Sequence, residues 1–254
     1  MRRIAVINQK GGSGKTTTVV NAGWYLSESK RKVLIIDLDP QAHSTIHLGL
    51  EPPEVEKSIY EVLTNEISFD EAIFEVKENL YLVPSKIELA SAEIELVTAV
   101  GREKILKEAI KKYQKNFDYI LIDCPPSLGL LTLNALTTAN EVFIPIQAEF
   151  FALEGLTKLL QTIQLVKKRL NPSLEISGII ITMFDKRKNI CKDVAKKVKE
   201  HFKNKVFKTM IRENVRLAEA PSFGKSIYQF SPESHGAEDY KNLTKEIIKQ
   251  EGKK

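Results

Sequence analysis

Residues 9–17 read Gln-Lys-Gly-Gly-Ser-Gly-Lys-Thr-Thr, and they are the stretch of this chain best suited to hold a polyphosphate. Glycines let backbone N–H groups come close to phosphate oxygens, and a following helix adds the positive end of its dipole. In a loop of this kind Lys15 reaches the β- and γ-phosphates, and the Thr16 hydroxyl holds Mg²⁺. Backbone N–H groups from Gly12 through Ser13, Gly14 and Lys15 to Thr17 complete the cradle. The usual spacing, G-x-x-x-x-G-K-[ST], asks for a glycine where this chain has Gln9, and a second lysine, Lys10, opens the glycine run instead. Spacing alone leaves two readings of Lys10 open, an added cation for the phosphates or a solvated surface residue.

Two further groups of carboxylates stand where such a loop needs them. The apolar run 33–36 ends in Asp37-Leu38-Asp39-Pro40-Gln41, and the run 119–122 ends in Asp123-Cys124-Pro125-Pro126. Carboxylates at the C-terminal ends of parallel strands sit where open α/β sheets bind ligands. Asp123 fits the acid that holds the metal, usually through water. A lone aspartate at a strand end is more often a turn or cap residue, but three such elements in chain order argue against that here.

These residues need a scaffold of alternating strands and helices, and the chain supplies its pattern. Ile4-Ala5-Val6-Ile7 precedes the glycine loop, and a helical stretch from Thr18 to Leu26 follows it. Strands are expected at 3–8, 33–37, 80–83, 118–122, 141–146, 176–182 and 206–211. The expected fold is α/β, one domain over residues 1–254, with a mostly parallel twisted sheet covered by helices on both faces. The segment 51–79 is acidic and carries Pro52-Pro53, so it reads as a surface excursion with one or two short helices. Of the 254 residues, 43% are hydrophobic, enough for a full core. No run of 18 apolar residues occurs. Residues 1–10 enter a strand without a signal-peptide shape, so the expected location is cytoplasmic. The two cysteines, Cys124 and Cys191, match neither a zinc pattern nor a disulfide framework.

The net charge of +5 hides an asymmetry. Residues 1–150 carry 16 Lys+Arg against 21 Asp+Glu, whereas residues 151–254 carry 22 against 12. The basic half clusters at 167–169, 186–188, 192–199 and 203–208, with Lys192, Lys196 and Lys199 at helical spacing. One lysine-rich face is ordinary solvated surface. Their sum points to a polyanion, and the absence of interleaved aromatics favours duplex phosphates over stacked single strands.

Taken together, K-G-G-x-G-K-T-T, D-x-D-P-Q and D-x-P-P resemble the deviant Walker A ATPases of the ParA/MinD group. The stretches 92–96, 126–132, 152–156 and 214–222 are similar to its chromosomal, Soj-type branch. The resemblance runs from about Arg3 to Leu243. It implies a DNA-partitioning ATPase of the P-loop class using ATP and Mg²⁺. ATP would join two copies face to face as a homodimer, with Lys10 crossing to the partner's phosphates and Gly11 where the two loops pack closely. Asp39 would orient the attacking water, making Lys10, Lys15 and Asp39 the catalytic set. Asn214 would join the nucleotide contacts, and Arg187 and Arg216 match DNA-contacting positions. The dimer would bind double-stranded DNA without sequence preference, associating with the nucleoid, and a ParB-type protein would stimulate hydrolysis. The chain departs from its relatives at Ser13, where Val is frequent, and at Arg212-Glu213, where Pro-Arg is usual. Two rival readings remain. A MinD-like membrane ATPase would need an amphipathic tail, and residues 239–254 offer only Tyr240, Leu243, Ile247 and Ile248 for it. The ATP-dependent amide-forming synthetases share the superfamily but usually lack the signature lysine together with D-x-D-P-Q.

Overall fold

A computed structural model of the chain describes residues 1–111, 116–149 and 155–252. Part of one stretch singled out above, Ala152-Leu153-Glu154, lies outside the described residues. The elements run β1 (Arg2–Val6), α1 (Lys15–Glu28), β2 (Val33–Asp37), α2 (His43–His47), α3 (Ile59–Leu63), β3 (Phe74–Lys77), β4 (Leu80–Val83), α4 (Leu89–Glu95) and α5 (Ile105–Lys111). They continue with β5 (Tyr119–Asp123), α6 (Leu130–Thr138), β6 (Glu141–Gln147), α7 (Leu156–Arg169), β7 (Glu175–Thr182), α8 (Asn189–Phe202), α9 (Val215–Glu219), α10 (Ile227–Phe230) and α11 (His235–Lys249).

Among the described residues, seven strands form one sheet in the order β3-β4-β2-β5-β1-β6-β7, parallel throughout except for the β3–β4 hairpin. Alternation along the strands explains the two cores. Ile4, Val6, Val33, Ile35, Leu121 and Phe143 meet α1 and α11 on one face. Ala5, Leu34, Ile36, Ile120, Ile122 and Ile144 meet α4–α8 on the other. Both faces are covered, so the central strands read as continuous apolar runs.

Two expectations need correction. Residues 206–211 do not form a strand. They lie along the outer edge of β7, where Phe207 and Ile211 donate backbone bonds to Ile179 and Ile181. Between them, the N–H groups of Lys208 and Thr209 turn to the Glu246 carboxylate on α11, at 2.9 and 2.8 Å, and leave the ladder. The excursion 51–79 does hold the short helix α3, but it also ends in β3, an edge strand of four residues whose first two are exposed. Its half-solvated composition hides it from apolar patterning.

The tail folds inward. α11 buries Tyr240, Leu243 and Ile247 against α1, and the Tyr240 and Thr18 hydroxyls meet at 3.2 Å. Arg212 forks onto Asp239 of α11 and also reaches Glu238. Among the described residues no helix is long and apolar enough to cross a membrane.

Candidate functional site

The site forms where β1, β2 and β5 end side by side. Register pairs Asp37 with Asp123 across β2 and β5, and Val6 with Asp123 across β1 and β5. The loop 9–14 leaves β1 at this edge and turns into α1. Gly12 and Gly14 have φ of +69° and +89°, a left-handed backbone open to glycine at little cost. Gly14 is the N-cap of α1, so the free N–H groups of the first helical turn face the loop. Thr182, at the end of β7, donates to the Ser13 carbonyl at 2.9 Å and braces the loop from behind. Lys15 is buried at the helix start. Lys10 is exposed, its ammonium paired with Glu149. Its N–H donates to the Asn8 side chain at 3.0 Å.

The carboxylates are organised by short hydroxyl side chains. Asp123 Oδ2 accepts from the Thr16 hydroxyl at 2.7 Å and from the Ser44 hydroxyl at 2.8 Å. Its other oxygen, Oδ1, is buried without a hydrogen-bond partner among the described residues. Asp37 accepts from the Thr45 N–H and hydroxyl at 2.9 and 2.8 Å, and from the Asp39 N–H at 3.2 Å. Asp39 accepts the Gln41 N–H on Oδ1 at 3.0 Å, and its carbonyl accepts the Ser85 hydroxyl at 2.8 Å. Ser85 in turn donates its N–H to the Thr45 hydroxyl at 2.9 Å.

Burial pushes the carboxyl pKa values of both Asp37 and Asp123 above the ordinary range. The neighbouring Asp123 charge raises Asp37 further, while the Thr16 and Ser44 hydroxyls and the Lys15 charge work to lower Asp123. Two fully buried carboxyls side by side are costly unless cationic charge or a proton compensates them. A site built this way attracts a cation. Cys124 is buried beside Asp123, and its thiol is pushed well up by that burial, which makes it inert.

Thus the structure brings Gly12, Ser13, Gly14, Lys15, Thr16, Asp39 and Asp123 to one edge of the sheet. Asn214 caps α9, its side-chain oxygen accepting the Arg216 N–H at 2.9 Å. Arg187 and Arg216 are exposed and already paired, with Asp185 and Glu219 respectively, at 2.7 and 2.8 Å. Ser44, Thr45 and Ser85 went unnoticed in the sequence. Ser85 is 46 residues from Asp39, and its signal was the one used for the aspartates, a polar residue just past the C-terminal end of a strand. A cavity of about 490 Å³ lies elsewhere, bordered by Arg2, Arg31, Tyr119, Glu141 and Glu251. Four of its charges are matched in pairs, Arg2 with Glu141 and Arg31 with Glu251.

Comparison with known proteins gives a consistent result. A family model described as an AAA domain matches residues 1–176. The sporulation initiation inhibitor protein Soj of Bacillus subtilis is 50% identical over 96% of this chain and 97% of its own. The chromosome partitioning protein ParA of Myxococcus xanthus is 45% identical over 98% of this chain and 89% of its own. Among solved structures, the cobyrinic acid a,c-diamide synthase of Mycobacterium smegmatis with bound ATP analog and magnesium superposes with a TM-score of 0.87. It is 37% identical and covers 98% of this chain and 95% of its own.

Proposed function

The chain belongs to the ParA/MinD family of ATPases, and from that premise we propose that it is a chromosome-partitioning ATPase that hydrolyses ATP with Mg²⁺. The observation carrying this reading is the hydroxyl-linked array at the sheet edge. Thr16, in the first turn of α1 after the phosphate loop, and Ser44 of α2, the helix that follows Asp39, converge on the same oxygen of Asp123. One atom therefore joins the group that holds the nucleotide to the group that would act on it.

The residues fit Mg²⁺. Asp123 Oδ1 is a buried anionic oxygen with no protein donor among the described residues, and the Thr16 hydroxyl stands 2.7 Å from its other oxygen. Hard oxygen donors suit this ion. When bound, Mg²⁺ neutralises charge on the β- and γ-phosphates. Lys15 and the N–H groups of the first turn of α1 neutralise the rest. Asp39 holds the attacking water by a carboxylate oxygen and takes its proton. Phosphoryl transfer depends on positioning and charge more than on covalent chemistry, so a fixed Asp39 backbone is what the Ser85 bond contributes.

In the single chain Lys10 rests on Glu149 rather than over its own loop. That supports a role in trans, in which Lys10 leaves Glu149 for the phosphates of a second copy. Hydrolysis by the lone chain is then slow, and an ATP-bound homodimer is the active species. Two copies also double the basic face carrying Arg187, Arg216 and the α8 lysines, so weak phosphate contacts act together on double-stranded DNA. A ParB-type protein would then stimulate hydrolysis and release. Amide-bond synthesis, the activity named for the Mycobacterium smegmatis structure, is the second reading. Lys10 followed by D-x-D-P-Q favours partitioning, as do the names of the relatives with higher identity.

The test is DNA binding by the wild type and by Asp39→Ala, each with ATP, ADP and no nucleotide. We expect binding with ATP alone, prolonged in Asp39→Ala because turnover stops while the dimer persists. DNA binding independent of nucleotide, or Asp39→Ala turning over ATP at the wild-type rate, refutes the reading.

A further inference from the structure

Arg2 and Arg3 are neighbours on β1 with opposite surroundings. Strand alternation sends them to opposite faces of the sheet. On the α1–α11 face Arg2 is fully engaged. Its guanidinium forks onto Glu141 at 2.8 and 2.7 Å and also reaches the Ile247 carbonyl and the Gln250 side chain. Arg3 belongs to the face covered by α4–α8, and its Nε is buried with no hydrogen-bond partner among the described residues. Its backbone is nevertheless fixed. The Arg3 N–H donates to the Asn140 side chain at 2.8 Å, and its carbonyl accepts the Asn140 N–H at 2.9 Å. A buried donor of a charged group, held in place and left unmatched, is costly, and burial lowers the Arg3 pKa accordingly.

Arg3 does not stand alone. Lys104, in the turn leading into α5, and Lys107 and Lys111 of α5 recur at helical spacing and share a side of that helix. Lys107 is half-buried. Burial lowers its pKa, and the charges of Lys111, Arg3 and Lys104 push it further down, which places all three around it. One carboxylate opposes them, Glu108, and it is paired with Lys111 at 2.8 Å. Residues 112–115, outside the described residues, read Lys-Tyr-Gln-Lys and bring no carboxylate. This concentration runs against its surroundings. Residues 1–150 are acidic in sum, yet residues 102–115 hold six Lys+Arg against two Asp+Glu.

We propose that Arg3, Lys104, Lys107 and Lys111 form an anion site for a diphosphate group, at the opposite end of β1 from the phosphate loop. The cations set the chemistry of the ligand. A guanidinium forks onto two oxygens of one phosphoryl group, whereas ammonium groups act as point charges on a second. With Glu108 set against four cations, three positive charges remain. A phosphoryl group carries about 1.5–2 negative charges near neutral pH, so two linked groups match the site and one falls short. The phosphate loop leaves the C-terminal end of β1, and Arg3 stands near its start. The two sites therefore fill independently.

The probe is inorganic pyrophosphate, titrated calorimetrically into the full chain saturated with ADP, which keeps the phosphate loop filled. One pyrophosphate should bind per chain and raise the melting temperature, because a ligand of the folded state stabilises it. Arg3→Met keeps an aliphatic stem without the charge, and Lys107→Gln removes a charge from a half-exposed position. Both should fold and hydrolyse ATP as the wild type does, and both should bind pyrophosphate more weakly by about tenfold or more. Lys15→Ala, whose phosphate loop is crippled, should retain this binding. A wild type that takes up no pyrophosphate when saturated with ADP overturns the inference, as does wild-type affinity in both Arg3→Met and Lys107→Gln. Loss of the binding in Lys15→Ala overturns it too, by assigning the anion to the phosphate loop. Weakened duplex DNA binding by Arg3→Met, without pyrophosphate uptake by the wild type, overturns it in favour of a second DNA contact.

Discussion

Two glycines three residues apart should fail in different ways. Gly14 holds a left-handed φ of +89°, and a Cβ there would stand 3.4 Å from Thr182 Cγ2. Thr182 cannot swing away freely, because its hydroxyl is bonded to the Ser13 carbonyl. An alanine therefore carries the left-handed penalty of about 1–2 kcal/mol. At roughly 2–4 °C per kcal/mol for a chain of this size, the melting temperature should fall by about 4 °C. Relaxing the strain also turns the loop N–H groups away from the phosphates, so ATP affinity should fall at least tenfold. Gly11 differs. It is exposed, its backbone lies outside the left-handed region, and nothing lies within 4 Å of a Cβ built on it. Gly11→Val should leave the fold within about 0.5 kcal/mol, as most surface changes do, and leave ATP affinity near wild type. It should nevertheless abolish the ATP dimer, since the space it fills is where the second loop must come. Thermal denaturation, a nucleotide titration and sedimentation with ATP on the two variants settle the matter. Equal loss of nucleotide affinity in both, or normal dimerisation of Gly11→Val, refutes the reasoning.

Ser85→Ala removes the bond to the Asp39 carbonyl; stability should drop by about 1 kcal/mol, and kcat about tenfold with ATP affinity unchanged, as read by steady-state kinetics beside a binding titration. His47 is buried in α2, and that burial pushes its imidazole from 6.5 down to about 4. The unfolded chain therefore takes up the proton first. The stability this residue contributes is complete above pH 6.5, falls as pH drops, and is lost by about pH 4, about 3 kcal/mol in all. The difference between wild type and His47→Asn in denaturant titrations should follow that window; a pH-independent difference would contradict it. Arg216→Glu, combined with Arg187→Glu, should weaken binding to all duplex sequences alike and flatten the slope of log K against log salt by about 0.9 for each phosphate that is no longer neutralised, with ATP binding intact; an unchanged slope moves the DNA surface elsewhere.

Much of this was legible because the informative residues are local. Glycine spacing, strand-end aspartates and apolar runs are short-range signals, and the phosphate loop, β1, β2, β4, β5, β6 and β7 follow from them. What escaped depends on distance along the chain or on competition between partners. Ser44 matters because it shares an oxygen with Thr16, and Ser85 because β4 lies beside β2 in the sheet; neither fact is written in a short window of sequence. The stretch 206–211 has the apolar content of a strand, yet Glu246 draws its middle N–H groups away. Arg212 has a task that no short window of sequence announces, tying the chain after β7 to Asp239 on α11.

The charge asymmetry acquires a geometry from the strand order. The acidic half contributes β3 and β4, at one edge of the sheet, and the basic half contributes β7 and α8, at the other. Lys192, Lys196 and Lys199 border one groove with Phe184 and Met210, and no carboxylate among the described residues pairs with them. Exposed lysines without partners can neutralise a polyanion's phosphates and displace its condensed counterions without breaking an internal bond. Arg187 and Arg216 must first give up Asp185 and Glu219. The exposed Arg216–Glu219 pair holds by a fraction of a kcal/mol to about 1 kcal/mol, so a phosphate can displace it at small cost, whereas Asp185 is a buried carboxylate that Arg187 grips with more than one bond. The fold thus keeps these cations at the edge of the sheet opposite the acidic β3–β4 hairpin.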